Sequence, residues 1–444
     1  MQYFRNRTGP IALIPFVVFI ACFLGTGFLL DDFYALPAPI AVIVGILSAI
    51  LILKGDAKTK IDTLLEGCGD PKILTMCLIY LLAGAFATVT GAMGGIDSVV
   101  NLGLEFISVE FIPAGIFIIS AFLSLATGTS VGSIVALGPI ALGLADQSGL
   151  SVPLLGATLL GGAMFGDNLS IISDTTIAST QSLGVSMRDK FKVNIYIALP
   201  AAIITILLLY FLGREASLTA TAIPDVGGYS LLSIFPYILV IVLAVSGMNV
   251  FYVLFLGVVT AGIIGLVQQD FSLMVYTEKI YEGFLGMIDI FLLSLLTGGL
   301  AALVSKAGGI DYILKKIREL VKTKRGAQLG IGSLVGLTNF AIANNTVSII
   351  ITGPIAKEIG EGFRIDPRKT ATLLDIAACL VQGILPYGAQ MLLLLSFAQG
   401  RVGYLDLLSN AWYLLFLFIF ALAAIFWKRW DRFLISSKAQ KVEF

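Results

Sequence analysis

The chain of 444 residues has no histidine. A neutral-pH proton shuttle, a His-ligated metal and a Ser-His dyad are therefore excluded. The GxSxG pattern formed by Gly128, Ser130 and Gly132 loses the partner that would make it a hydrolase nucleophile. Cysteine is scarce: Cys22, Cys68, Cys77 and Cys379 are scattered without a CxxC pair, which excludes a disulfide framework and a thiolate metal cluster and leaves packing as their role. Charge is scarce too. The 28 basic and 28 acidic residues make up 13% of the chain and cancel, so no global field points to a nucleic-acid partner.

What fills the space is apolar. Hydrophobic residues make up 58% of the chain and the mean hydropathy is +0.98, where a globular domain has roughly 45–50% apolar residues. The fold class is an all-α polytopic membrane protein. Residues 11–30, preceded by Arg5 and Arg7, are long enough to cross a bilayer core and read as a retained first helix. The loop 54–72 carries Lys54, Lys58, Lys60 and Lys72 and is cytoplasmic by the positive-inside rule, whereas 94–110 has acids only and faces outside. Two longer stretches follow, 111–144 and 152–183, interrupted by small and polar residues at 126–133 and 166–174. The charges that follow, Arg188, Lys190 and Lys192, make the first a re-entrant hairpin and the second a broken helix crossing inward. Irregular backbone at that depth lines a cavity or is buried in protein.

The pattern then repeats. GGID recurs at 94 and 308, ATLL at 157 and 371, and SIVALGPIA at 133 is answered by SIIITGPIA at 348. Collinear matches at offsets of 214 to 215 indicate an internal duplication. The loop after the first GGID is acidic and its counterpart carries Lys315, Lys316, Arg318, Lys322, Lys324 and Arg325, so the repeats are expected to be inverted. The expected layout is an N-terminal repeat at 1–213 with five spans and the hairpin 111–144, and an external linker at 214–228. A C-terminal repeat at 229–430 with five spans and the hairpin 327–356 follows, then a cytoplasmic tail at 431–444. Both termini are placed in the cytoplasm, with Trp412, Trp427 and Trp430 at the interfaces of the last helix. Inverted repeats with broken helices at the midplane are the architecture of secondary transporters.

The stretch 161–180, GGAMFGDNLSIISDTTIAST, concentrates the candidate site. Ionisable side chains are expensive at membrane depth, so Asp167, Asp174 and, in the second half, Asp375 are functional candidates by default. Asn168, Ser170, Ser173, Thr175 and Gln382 join them as cation- or proton-binding groups, with Asp167 and Asp174 as the core of a sodium site. The hairpin tips add Thr127, Thr129, Ser130, Asn344, Asn345 and Thr346 as lining. Such an oxygen-rich set suits a hard cation, although Ser and Thr in membrane helices also bond their own backbone and Asn caps helices. Alignment of the halves at 214 sets Asn168 against Gln382. Asp375, with no basic residue near it in sequence, is expected to carry a proton.

FGDNLSIISDTT at 165–176 resembles the FGDKxSPLSDTT signature of the NhaC family of sodium/proton antiporters, with Asn168 where many members have Lys and Ile172 where many have Pro. The resemblance implies a secondary transporter of the plasma (inner) membrane that exchanges sodium or another monovalent cation for protons by alternating access. It implies no cofactor beyond the transported ions. The partners it suggests are the cation, protons, the lipid bilayer and a second copy of the chain in a homodimer. The alternative is a sodium- or proton-coupled carrier of a small organic acid or amino acid. An intramembrane aspartyl protease built on Asp167 and Asp375 is disfavoured, because Met164 stands where its GxGD signature needs Gly.

Overall fold

The computed structural model describes residues 9–30, 36–171, 173–219 and 227–427. Arg5, Arg7, Ile172, Trp430, the middle of the linker (220–226) and the tail 431–444 lie outside the described residues. All regular elements among the described residues are helical. The first half contains α1 (Ile14–Leu30), α2 (Ala38–Ile52), α3 (Ala57–Cys68), α4 (Pro71–Ala92), α5 (Gly95–Phe106), α6 (Ile112–Thr127), α7 (Ser130–Ser148), α8 (Val152–Leu169), α9 (Asp174–Leu183) and α10 (Met187–Thr219). The second contains α11 (Leu231–Val245), α12 (Val250–Gln268), α13 (Leu273–Gly286), α14 (Ile288–Lys306), α15 (Gly309–Leu320) and α16 (Lys324–Ile342). It continues with α17 (Asn345–Gly362), α18 (Pro367–Ile384), α19 (Ala389–Ala398), α20 (Tyr404–Ser409) and α21 (Trp412–Phe426).

Eight segments among the described residues are long and apolar enough to cross a membrane, and four shorter apolar helices accompany them. Val17, Leu51, Phe122, Leu207 and Phe418 are exposed on the outside of the bundle. In water such a surface would be an aggregation hazard; lipid covers it. The protein is a multi-pass integral membrane protein.

The two halves use the same local devices. Thr129 caps α7 by accepting from the Gly132 N–H, and Asn344 caps α17 by accepting from Val347. Each cap follows a left-handed residue, Gly128 or Ala343, and each of these helices contains a proline, Pro139 or Pro354. Ser151 caps α8 and Asp366 caps α18; α9 and α19 end on left-handed Gly184 and Gln399. Buried side chains on the hairpins repeat as well: Ser124 Oγ donates to the Ala163 carbonyl at 2.6 Å, and Asn339 Nδ2 to the Ala378 carbonyl at 2.9 Å. Every one of these pairs is 215 residues apart. The register of 214 therefore holds only as far as the GGID turns at Gly94 and Gly308, one residue is added before the hairpin tips, and the ATLL identity is a coincidence of composition. In the corrected register Asp167 stands opposite Gln382 and Asp375 opposite Leu160.

Three stretches read as loops contain helices: 54–72 holds α3, 94–110 holds α5 and the basic counterpart of the latter holds α15. In α15, Ile310, Ile313 and Ile317 are buried while Lys315, Lys316 and Arg318 are exposed, an amphipathic period that its high charge count conceals. α5 occupies the equivalent place in the first half. The helices group into two bodies. α6–α10 pack with α16–α19 and α21, and α2–α4 pack with α12–α14. The site lies on the first body where it faces α4.

Candidate functional site

The break between α8 and α9 is built by local hydrogen bonding. The Ser170 N–H closes α8 onto the Gly166 carbonyl at 2.8 Å, and its hydroxyl donates to the Leu125 carbonyl of α6 at 2.7 Å. Ser173 then caps α9, accepting from the Thr175 N–H. The second half repeats the join with another side chain: Tyr387 Oη donates to the Phe340 carbonyl at 2.6 Å, and Phe340 is the 215 counterpart of Leu125.

This geometry puts Asp167, in the last turn of α8 and only 5% exposed, against the N-terminus of α7. Its Oδ2 accepts from the Ser130 N–H at 3.3 Å and the Ser130 hydroxyl at 2.7 Å, and its Oδ1 accepts from the Ser173 hydroxyl at 2.6 Å. Both hydroxyls are oriented by further donors. Gln390 Nε2 donates to Ser130 Oγ at 3.0 Å, and Gln382 Nε2 donates to Gln390 Oε1 at 3.0 Å. Ser173 Oγ lies 3.0 Å from Thr175 Oγ1. A chain of neutral donors from both halves converges on one carboxylate, which sits against the N-terminus of α7. The buried Gln382 Oε1 has no hydrogen-bond partner in the structure, and Gln382 is among the residues that line the cavity.

A cavity of about 380 Å³ opens on this carboxylate. Of the residues singled out from the sequence, Asp167, Ser173, Asp174, Thr175 and Gln382 line it, as do the tip residues Thr129, Ser130, Asn344, Asn345 and Thr346. Met76 and Ile79 of α4 form the facing apolar wall. Asp174 is exposed at the start of α9, so it belongs to the cavity mouth rather than to a buried two-carboxylate site. Thr127 donates to the Thr129 carbonyl and shapes the tip, and Ser170 joins α6 to α8. Among the described residues no three of His, Cys, Asp and Glu gather as a metal site. A cation here would meet one buried carboxylate with hydroxyl and amide oxygens, a donor set for a hard monovalent ion.

Asn168 and Asp375 lie outside the cavity lining and form a second cluster. Asn168 Nδ2 donates to Asp375 Oδ2 at 3.1 Å. Lys190 is paired with the same carboxylate, and its ammonium also donates to the Asn168 carbonyl and to Thr176 Oγ1, each at 2.9 Å. Lys190 is 1% exposed and Asp375 fully buried. This corrects two expectations: Lys190 is not a loop charge like the exposed Arg188 and Lys192, and Asp375 does not stand without a base. The missed signal was the spacing of Lys190 and Asn194, which share one face of α10 and both donate to the Asn168 carbonyl. Gln390, one of two amides eight residues apart, was also missed.

A membrane-embedded bundle in which each half brings a hairpin tip and a broken helix to one small polar cavity is a secondary transporter. The model of the Na+/H+ antiporter family matches the chain twice, over residues 10–214 and 215–427. The chain belongs to that family of sodium/proton exchangers. It is 23% identical over 406 residues to the malate-2H(+)/Na(+)-lactate antiporter of Bacillus subtilis, covering 84% of this chain and 86% of that one. It is 23% identical over 420 residues to the Na(+)/H(+) antiporter NhaC of the same organism, covering 86% and 90%. The arginine/ornithine antiporter ArcD of Halobacterium salinarum is matched at 22% identity over 74% of each chain. A crystal structure of the Alcanivorax borkumensis YdaH transporter is matched over 94% of this chain and 98% of that one, at a TM-score of 0.39 and 13% identity. At that score the likeness assigns no position or role.

Proposed function

We propose that the chain exchanges sodium, or another monovalent cation, for protons by alternating access, with Asp167 as the carboxylate that cation and proton share. The observation that carries this is the set of partners around Asp167: all are neutral donors. A buried carboxylate of that kind needs a cation or a proton beside it, and competition for one carboxylate makes the exchange obligatory. Asp174 lies exposed at the mouth.

The charge pattern supports an inverted arrangement of the two halves, with both termini on the cytoplasmic side of the plasma (inner) membrane. In that frame the cavity at Asp167 opens toward the cytoplasm past Pro71 and Val250. A second cavity of about 780 Å³ lies at the external end of the same seam, between α4 and α14 on one side and α7 and α19 on the other. It is lined by Asp146, Glu282 and Asp289, with Arg401 bound to Asp146 at 2.6 and 2.8 Å. Cavities at both ends of one seam suit rocking of one body against the other. Exposed positions test the frame. Glu105→Cys on α5 should react with an impermeant maleimide from outside and Lys316→Cys on α15 only from inside; labelling of both from one side removes the inversion.

A small organic acid or amino acid as co-substrate is the second reading. Two relatives carry such substrates in their names, and the N-termini of α7, α9, α17 and α19 all reach the cavity, a favourable setting for a carboxylate. Its volume lies at the small end of ligand pockets, about 300–1,000 Å³. Purified protein in liposomes containing a pH-sensitive dye separates the readings. Sodium pulses should drive proton movement without added solute. Solute-stimulated sodium uptake without sodium-driven proton movement would replace the exchanger by the carrier.

A further inference from the structure

The buried Asp, Glu, Lys and Arg side chains among the described residues are few: the acids Asp167 and Asp375 and the bases Lys190 and Lys369. Lys369 sits at the start of α18, where its ammonium donates to the Ala424 carbonyl at 2.7 Å. The other three meet around Asn168. Lys190 presents three N–H donors, and three acceptors surround it: Asp375, the Asn168 carbonyl and Thr176 Oγ1. An ammonium has no other protons to place, so each of its donors meets one acceptor. The adjacent Asp167 touches no cation.

We infer that Lys190 is a built-in counter-ion that cancels Asp375, so that the buried site holds a single uncompensated negative charge and takes one monovalent cation at a time. This deepens the reading of Asp167 as the shared carboxylate and rests on it. Asp174 does not enter the count, because it is exposed and screened by solvent ions.

A purely structural role for the ammonium would be to cap the end of α8, and two observations argue against that. The Asn168 carbonyl already receives Asn194 Nδ2 at 2.7 Å. At the matching end of α18 a neutral hydroxyl suffices, with Tyr404 Oη donating to the Ile384 carbonyl at 2.8 Å. What Lys190 brings that Tyr404 does not is charge, and it is present in the half that carries Asp167. Burying an ion pair is costly compared with burying apolar groups of similar shape, so packing alone gives no reason to keep one here. Setting the net charge beside the transport carboxylate does.

The test is binding of radioactive sodium to the detergent-purified full chain, with a parallel flux assay in liposomes. Wild type should bind one sodium per chain. Asp375→Asn leaves the ammonium beside Asp167 without its counter-charge and should weaken sodium binding about tenfold or more, whereas Lys190→Met with Asp375→Asn removes both charges and should return it to within about threefold of wild type. In liposomes, sodium-driven proton movement should be indifferent to a membrane potential imposed with potassium and valinomycin, because either cargo leaves the site equally charged. Two sodium ions bound by wild type, wild-type affinity in Asp375→Asn, or a double variant no better than Asp375→Asn would each overturn the inference, as would acceleration by the potential. Absence of sodium-driven proton movement in wild type would sink the exchanger reading and leave the binding stoichiometry to decide this one. If the double variant does not fold, the wild-type stoichiometry and potential dependence still do so.

Discussion

Asp167→Asn is expected to abolish sodium-driven proton movement while leaving a monodisperse, folded protein. The side chain keeps its size; its one amide oxygen can accept from the Ser130 hydroxyl, now 2.7 Å from the carboxylate, and its Nδ2 can donate to Ser173 Oγ, now 2.6 Å away, once that hydroxyl turns. The folded state loses charge assistance in these bonds, worth about 1–2 kcal/mol at most, and is relieved of a buried charge. Cargo binding loses the charge itself. Hydrogen bonds to charged groups contribute roughly 1.5–3 kcal/mol, or about ten- to a hundredfold in affinity, and removal of the shared carboxylate also removes the competition that couples the two ions. Transport should therefore fall below detection even at saturating sodium. Asp174→Asn is the control: exposed and screened, it should retain transport within about threefold. The dye assay on both variants, beside size-exclusion profiles and thermal melts, checks this, and a wild-type rate in Asp167→Asn would reduce the site to scaffold.

Much of this architecture was legible in the sequence because the membrane simplifies the rules. A carboxylate inside an apolar run has few roles, and that alone located Asp167. Small and polar interruptions marked both hairpin tips and both breaks, because a backbone that leaves the helix there must find partners in protein. What could not be read was which charges meet. Lys190 and Asp375 are 185 residues apart, and a lysine three residues into α10, flanked by Arg188 and Lys192, has the same local signature whether it points to water or into the bundle. Asp174 failed in the opposite direction, since its sequence neighbourhood is apolar but its position at the first turn of α9 opens onto the cavity mouth. The register error had a similar origin. The four-residue ATLL identity outweighed an inserted residue that the SIVALGPIA match already carried and that the paired caps at Ser151 and Asp366 place before α8 and α18. The role of Gln382 follows from the corrected register: it is the uncharged counterpart of Asp167, joined to it through Gln390 and Ser130.

One residue before Asp167, the opposite outcome is expected. Gly166→Val should prevent assembly of the folded protein rather than impair transport. A Cβ at Gly166 would fall 2.2 Å from the Ala121 carbonyl oxygen and 2.6 Å from the Leu125 nitrogen, both backbone atoms of α6 that no side-chain rotation can clear. Small residues permit such close approach between membrane helices, where dispersion and interhelical hydrogen bonds replace the hydrophobic effect as the driving force. To admit the new atoms α6 would have to withdraw, and its Ser124 and Leu125 are the partners that hold Ala163 and Ser170. Overpacking typically costs about 1–3 kcal/mol, and here the hydrogen bonds that define the break would be lost as well. The second half contains the mirror solution. At the 215 counterparts, Val381 stands for Gly166 and Gly336 for Ala121, and a Cβ on Gly336 would meet Val381 Cγ2 at 3.2 Å. The small residue has changed helices. Gly166→Val combined with Ala121→Gly rebuilds that arrangement in the first half and should recover part of the folded, monodisperse material that Gly166→Val alone loses, as judged by fluorescence-detected size exclusion. A single variant that assembles and transports like wild type would mean that the α6–α8 approach is not what fixes the position of Asp167.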